Sequence, residues 1–439
     1  LENKRNNLKV ASETALLVHV ELPGSSLDAV QSLAELESLA EAAGAIVLGR
    51  VRQKRSKASP ALYIGKGKAE EIAQKAEQYG ANVVIFDNDL SPAQIRELEK
   101  IVHCKVLDRS ELILDIFASR ARTAEARMQV ELAQLEYTYP RLARMWSHLD
   151  TVVGSGGAGA AAAVGGIGTR GPGESQLEID RRLVNKRIAA LRRQIEQVDE
   201  RKKRQVQSRS KHFTVGLVGY TNAGKTTLMN TLTGTNAFVA DQLFATLDTK
   251  TARWNLGGEL YALLSDTVGF VRNLPHKLVA SFRATLEEAI HADLLLHVVD
   301  VSHPQADSQI EAVNSVLAEL HCDEKDILLI FNKIDVPGLA SRCDTFTTLY
   351  PDAIALSART GVGVDRLIET TIGRVTGEIL HLRVVCSQAN GRIRGYLHTH
   401  GTIIAEEYTD SQIIFEASLG RRQLPGLKNL KPLTCETIL

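Results

Sequence analysis

Hydrophobic positions along this chain fall into short, β-branched-rich runs separated by stretches of helical period. The runs at 15–20 (ALLVHV), 45–51 (AIVLGRV) and 83–87 (VVIFD) predict buried strands, and the patterns around them predict helices over 27–43, 68–79 and 92–102. Ser91-Pro92 reads as an N-cap followed by an N1 proline. Strand and helix thus alternate through 1–110, which predicts a small N-terminal α/β domain with a mostly parallel sheet. Residues 111–148 read as one long helix broken only by Pro140, and 174–211 as a second, with Leu177, Leu183, Ile188, Leu191, Ile195 and Val198 at helical spacing. Matched lengths predict a long antiparallel helical hairpin over 111–211. Its connection, 149–173, holds nine glycines in 25 residues, and so long a loop inside a compact domain is usually functional or disordered. From 212 the alternation resumes. FTVGLVG, ELYALLSDT, LLLHVVD, ILLIFNK and AIALSA predict the strands of a second α/β domain, 212–377, and LHLRVV, TIIAEEY and SQIIFEA predict a small C-terminal α+β domain, 378–439.

Composition narrows the class. At 439 residues and 44% apolar, the chain suits two to four domains with filled cores. No run approaches the roughly 18 apolar residues of a membrane span. The first residues, LENKRNN, carry no apolar segment of a secretory signal and start on Leu, as a chain lacking a few residues would. Five scattered cysteines (104, 322, 343, 386, 435) without a C-x-x-C pair read as reduced thiols. The expectation is a soluble cytoplasmic monomer with no stable membrane insertion.

One segment carries recognisable chemistry. Gly219-Tyr220-Thr221-Asn222-Ala223-Gly224-Lys225-Thr226 matches G-x-x-x-x-G-K-[ST], after an apolar strand and before a helical stretch. Backbone N–H groups of such a loop wrap phosphate oxygens at a helix N-terminus; Lys225 would reach the β and γ phosphates and Thr226 would hold Mg²⁺. Asp266-Thr267-Val268-Gly269 ends an apolar run as a Walker-B carboxylate does, with the Gly269 N–H available to a γ-phosphate. Asn332-Lys333-Ile334-Asp335 closes the strand ILLIF, where the Asp335 carboxylate can accept from guanine N1–H and the 2-amino group. Ser357-Ala358-Arg359 follows, with the Ala358 N–H placed to donate to guanine O6. Strand C-termini are where open α/β sheets bind ligands, so the reading is a P-loop GTPase domain with GTP as substrate. Phe244-Ala245-Thr246-Leu247-Asp248 is the candidate switch, Thr246 joining Thr226 on Mg²⁺, with Thr249 and Thr251 as competing neighbours. Phe270 stands where a water-orienting Gln is expected, so intrinsic hydrolysis should be slow. Lys225, Thr246, Gly269 and Asn222 are the expected catalytic set. An Asn at 222 either caps the turn or holds a K⁺ near the β,γ-bridge; the second option predicts faster turnover in K⁺ than in Na⁺.

The formal net charge is zero, but residues 1–211 carry 33 basic and 27 acidic side chains and residues 212–439 carry 19 and 25. Residues 50–68 hold seven basic and no acidic residues, and 170–211 hold 13 basic against six acidic. Two basic elements beside a Gly-rich loop favour contact with a phosphate backbone. Few aromatics are interleaved, which disfavours stacked single-stranded readout.

The P-loop GYTNAGKT, FATLD, DTVGF followed by RNLPH (272–276), NKID, the block GGIGTRGPGESQLEIDRR (165–182) and YIGKGKAEEI (63–72) are similar to the HflX family of GTPases. The likeness covers nearly the whole chain. It implies an N-terminal α/β domain, a helical hairpin and a G domain, in a factor that binds the 50S subunit and 23S rRNA and splits stalled or stressed 70S ribosomes, with no DNA partner. It further implies that the 149–173 loop approaches the peptidyl-transferase region. The stretch 150–164 departs from the family in being longer and nearly free of charge. Two other readings remain: a GTP-gated switch acting on a protein or membrane partner, and an RNA-remodelling N-terminal module in which Gly65-Lys66-Gly67-Lys68 cradles phosphate or merely forms a βα turn.

Overall fold

The computed structural model describes residues 13–23, 29–137, 139, 176–208, 213–235, 244, 250–258, 260–272, 289–322, 324–377, 379–409 and 411–438. The chain divides into two compact units. The first is built on Leu1–Arg204 and takes in Phe244 from the stretch Asp241–Asp248; the second holds Gln205–Ala240, Thr249–Arg272 and Thr285–Leu439.

In the first unit, β1 (Thr14–Glu21), β2 (Ile46–Lys54), β3 (Val83–Phe86) and β4 (Lys105–Asp108) form a parallel sheet in the order β2-β1-β3-β4. Helices α1 (Ala29–Ala42), α2 (Lys66–Tyr79), α3 (Pro92–Val102) and α4 (Arg109–Arg120) lie between and after the strands. Leu16, Val18, Val20, Val84 and Phe86 meet Ile72 of α2 and Leu98 of α3 in one core. Ser91 caps α3 as its sequence demands: Ser91 Oγ accepts the Gln94 N–H at 3.3 Å and Gln94 Oε1 accepts the Ser91 N–H at 2.8 Å. The other face carries a buried ion network. Asp87 accepts from Arg109 at 2.7 Å and bonds His19 Nδ1 at 2.8 Å, and Arg109 reaches Glu35 at 2.9 Å, tying β1, β3, α1 and α4. Burial pushes the Asp87 carboxyl up, but the His19 hydrogen bond and the Arg109 charge outweigh it and leave its pKa below the ordinary value.

The single helix expected from 111 is instead two. α4 starts at Asp108, whose carboxylate accepts the Glu111 N–H at 3.0 Å, and stops at Arg120; Thr123 Oγ1 then accepts the Ala126 N–H at 3.1 Å and α5 runs over 124–137. Two caps within sixteen residues break what apolar periodicity alone joins. The second long helix, α6 (Gln176–Ser208), pairs with α5 through Arg187–Glu131 and Arg192–Glu136, and Arg181 and Asn185 donate to the Tyr139 hydroxyl. Pro140 and the Gly-rich loop 149–173 lie outside the described residues.

The second unit holds two sheets. β5 (Thr214–Gly219), β6 (Lys250–Gly257), β7 (Leu260–Asp266), β8 (Leu294–Asp300), β9 (Asp326–Asn332) and β10 (Ile354–Ala355) are ordered β10-β9-β8-β5-β7-β6, parallel except for β6. Leu217, Leu264, Leu296, Val298, Ile330 and Trp254 fill its core beneath α7 (Lys225–Thr233) and α10 (Val364–Thr376); α8 (Ala306–Glu319) and α9 (Ala340–Leu349) cover the opposite side with Phe331 and Phe346. The C-terminal sheet, β12-β13-β11-β14, is antiparallel, from β11 (Ile379–Ser387), β12 (Gly401–Tyr408), β13 (Gln412–Gly420) and β14 (Thr434–Ile438). Helices α11 (Gly391–His400) and α12 (Leu424–Asn429) cover one face, burying Ile393, Leu397 and Leu427 on Val384, Phe415 and Leu419. The chain is thus α/β with a P-loop domain and a small α+β appendage. Among the described residues no helix is long and apolar enough to cross a membrane.

Candidate functional site

The predicted phosphate loop leaves the C-terminal end of β5 and enters α7. Its glycines are there because side chains do not fit. Gly219 has φ 149°, and a Cβ there would meet the Val298 carbonyl oxygen at 2.2 Å; Gly224 has φ 94°, and its Cβ would meet Asn332 Nδ2 at 2.3 Å. Asn222 also takes a positive φ, 62°, a conformation in which Asn is several-fold enriched among side-chain-bearing residues. Lys225 is 6% exposed and donates to the carbonyls of Gly219 (3.1 Å) and Tyr220 (2.8 Å). Burial lowers its pKa to about 8 against the opposing pull of Asp266. Beneath it lies His297 on β8, 2% exposed, which burial and the Lys225 charge push down to about 3. His297 is therefore a neutral imidazole under the loop. Sequence reasoning passed over it as one polar letter inside the apolar run LLLHVVD.

Thr226 Oγ1 donates to Asp266 Oδ2 at 2.7 Å, so a hydroxyl and a fully buried carboxylate converge beside the loop. Two hard oxygen donors suit Mg²⁺, which takes few protein ligands and completes its shell with water and substrate phosphates. Among the described residues no group of three or more His, Cys, Asp or Glu is arranged to hold a metal ion. Thr267 Oγ1 donates to the Leu217 carbonyl at 2.6 Å, and Gly269 packs so closely that a Cβ would meet Thr221 Cα at 2.8 Å and Lys225 Nζ at 3.0 Å. Phe270 is 2% exposed and bridged to Tyr220, its N–H donating to the Gly219 carbonyl at 3.1 Å while its carbonyl accepts the Thr221 N–H at 2.8 Å. Neither its ring nor its backbone is free to orient a water. Val268 is buried alongside.

The predicted base-recognition residues meet at the ends of β9 and β10. Asn332 Nδ2 donates to the Ala223 carbonyl at 2.8 Å, joining this strand end to the phosphate loop. Ser357 Oγ donates to Asp335 Oδ1 at 2.7 Å, and Asp335 is exposed with its second oxygen available. The Ala358 N–H, expected at guanine O6, donates in this structure to Asn332 Oδ1 at 2.9 Å. The fully buried Ser357 and nearly buried Ala358 hold that amide against Asn332. Lys333 has φ 67° and its ammonium pairs with Asp300 Oδ2 at 2.7 Å, while Ile334 is partly buried and Arg359 exposed. Asp300, at the end of β8, and Thr231, which donates to the Ala358 carbonyl at 2.6 Å, were absent from the sequence reading. Of the switch residues only Phe244 is described; it is 2% exposed, with its ring edge-on to Phe117 at 4.5 Å. Ala245, Thr246, Leu247, Asp248 and Thr249 lie outside the described residues; Thr251, on β6, bonds Ser265 Oγ at 3.1 Å.

The basic segment 50–68 is less naked than its composition suggests. Arg50 pairs with Glu37, Lys54 with Glu21, Lys66 with Glu70 and Lys68 with Glu71. Gly65 is the N-cap of α2, and Gly65–Lys68 form that helix's first turn.

Three family descriptions match in order along the chain: "GTP-binding GTPase N-terminal" over 30–118, "GTP-binding GTPase Middle Region" over 120–209 and "50S ribosome-binding GTPase" over 214–333. The chain is 44% identical to the GTPase HflX of Escherichia coli (strain K12) over 387 residues, 88% of each protein. It is 41% identical to the GTPase HflX of Lacrimispora saccharolytica, covering 93% of this chain and 94% of that one. Among solved structures, a complex of SsGBP with GDP aligns at 25% identity and a TM-score of 0.47, over 83% of this chain and 98% of that one.

Proposed function

The chain belongs to the HflX family of GTPases and hydrolyses GTP to GDP and phosphate, and from that premise we propose that it is a cytoplasmic factor that binds the 50S subunit through 23S rRNA and splits stalled or stressed 70S ribosomes. The observation that carries the reading is the pairing of the P-loop constellation, inside a region matching the description "50S ribosome-binding GTPase", with the exposed arginines Arg181, Arg182, Arg187, Arg192 and Arg193 of α6. Within the site, the loop 219–226 takes the phosphates, Lys225 neutralises β and γ oxygens, and Asp335 reads the guanine edge. Thr226, Thr246 and Asp266 would hold Mg²⁺ directly or through water, which neutralises charge on the β and γ phosphate oxygens when bound. Gly269 presents its N–H to the γ-phosphate. With Phe270 buried, nothing at that position orders the attacking water, so turnover is slow until the ribosome completes the site. A K⁺ held by Asn222 would add positive charge at the β,γ-bridge; equal turnover in K⁺ and Na⁺ would remove that role.

The test is GTP hydrolysis with and without purified 50S subunits, together with sucrose-gradient profiles of 70S ribosomes under a non-hydrolysable GTP analogue. Stimulation by 50S and a shift from 70S to free subunits are expected. Turnover indifferent to 50S with unchanged profiles would discard the ribosomal reading in favour of a switch acting on another partner.

A further inference from the structure

The segment that carries Gly269 is fastened to the phosphate loop at three points. Two are backbone bonds open to any sequence: Phe270 N–H to the Gly219 carbonyl at 3.1 Å, and Thr221 N–H to the Phe270 carbonyl at 2.8 Å. The third belongs to one side chain. The Tyr220 hydroxyl, on a residue 5% exposed, accepts the Arg272 N–H at 2.9 Å, three residues beyond Gly269. On the near side Thr267 is fixed to the Leu217 carbonyl at 2.6 Å. Gly269 is therefore held from both ends, with its Cα face against Thr221 and close to the Lys225 ammonium.

We propose that Tyr220 is a positioning residue for γ-phosphate recognition: its hydroxyl holds the start of the post-Gly269 segment so that the Gly269 N–H stays aimed at the γ-phosphate, which lets the site favour GTP over GDP. The inference rests on the proposed role of Gly269 and deepens it. A clamp made by the loop itself presets an amide that would otherwise be ordered only when nucleotide binds, and preset donors cost less to use. GDP has no γ-phosphate and makes no contact with that amide, so the clamp acts on one nucleotide and not the other. Removing the hydroxyl leaves a half-buried N–H without its acceptor and loosens the segment at its far end.

The experiment uses the full chain and Tyr220→Phe, which keeps the ring and deletes only the hydroxyl. Affinities for GDP and for a non-hydrolysable GTP analogue are measured alongside kcat and KM for GTP and the thermal midpoint. Expected are a GDP affinity within about twofold of wild type, an analogue affinity lower by about tenfold, and kcat/KM for GTP lower by the same order. Equal weakening of both nucleotides would make Tyr220 a support of the whole loop, and no change in either would leave the hydroxyl idle; both overturn the proposal. If wild type itself binds neither nucleotide, it is the site reading that fails. The thermal midpoint identifies a folding defect, which would lower both affinities and count against the clamp.

Discussion

At the scale of single residues, Lys225 and Asp335 make opposite electrostatic demands. The ammonium of Lys225 is buried among carbonyls, and that desolvation holds its pKa near 8 rather than 10.5. The unfolded chain keeps this lysine protonated up to the higher value and so binds more protons between the two, which means the nucleotide-free fold gains stability as pH rises from about 8 towards 10.5. Nucleotide binding runs the other way, because phosphates need the charged form and pull the proton back. Affinity for GDP should hold constant below about pH 7.5 and fall by up to about tenfold per unit above pH 8. Titration with a fluorescent GDP at pH 7, 8 and 9 checks it; a flat profile would mean that Lys225 stays protonated throughout. Asp335 faces outward and keeps its geometry through Ser357. Asp335→Asn exchanges an acceptor for a donor against the guanine 2-amino group, and should cost on the order of a hundredfold in GTP affinity while improving xanthosine triphosphate, whose oxygen at that position accepts. These residues were legible in the sequence because motif spacing encodes them. His297, Asp300 and Thr231 were not, and Tyr220 was legible only as a member of the loop motif and not for its hydroxyl, since each acts through a neighbour that only folding supplies.

Elements follow the same rule. β1, β3, α1 to α3 and most strands of the second unit came directly from periodicity, but β4 (KVLD), β6 (KTARWNLG) and β14 (TCETI) did not. β4 is four residues long. β6 and β14 are sheet-edge strands with little buried surface; on β6 only Trp254 and Leu256 are buried among polar neighbours. A short edge strand needs so little apolar content that pattern alone cannot separate it from a loop. The break between α4 and α5 escaped for a related reason: Thr123 starts a new helix by one hydroxyl bond, without changing the apolar period. Phe244 is the sharpest case, an apolar residue in a polar stretch whose burial depends on Phe117 of α4. It sits at φ 56°, a conformation that bulky residues rarely take, so the packing must offset backbone strain. A double-mutant cycle of Phe117→Ala and Phe244→Ala, read by thermal or denaturant unfolding, should give a coupling of about 0.5–1.5 kcal/mol. Additive losses would show that the two rings are buried independently.

For the molecule as a whole, zero net charge conceals an uneven distribution that the structure makes more selective still. The excess of basic residues in 1–211 suggested broad electrostatic grip, yet four of the seven basic side chains in 50–68 are matched by glutamates, and Arg187 and Arg192 of α6 are bound to Glu131 and Glu136. Charge already committed to a carboxylate releases few counterions on meeting a phosphate, so these residues should contribute little to RNA affinity. Lys186 and Arg193, exposed on α6, are better placed for that work. If 23S rRNA is the partner, a Lys186→Glu/Arg193→Glu variant should bind 50S subunits at least tenfold more weakly near 100 mM salt. Its plot of log affinity against log salt should be shallower by roughly 1.5 to 2, as two lost phosphate contacts require. An Arg187→Ala/Arg192→Ala variant, by contrast, should keep the wild-type salt slope and show its defect in unfolding, because it loses ion pairs to α5 and no phosphate contacts. Pelleting of 50S with each variant across a salt series separates the two sets. Identical slopes for all three proteins would mean that α6 does not grip RNA through this face, and that the basic half of the chain spends its charge on holding itself together.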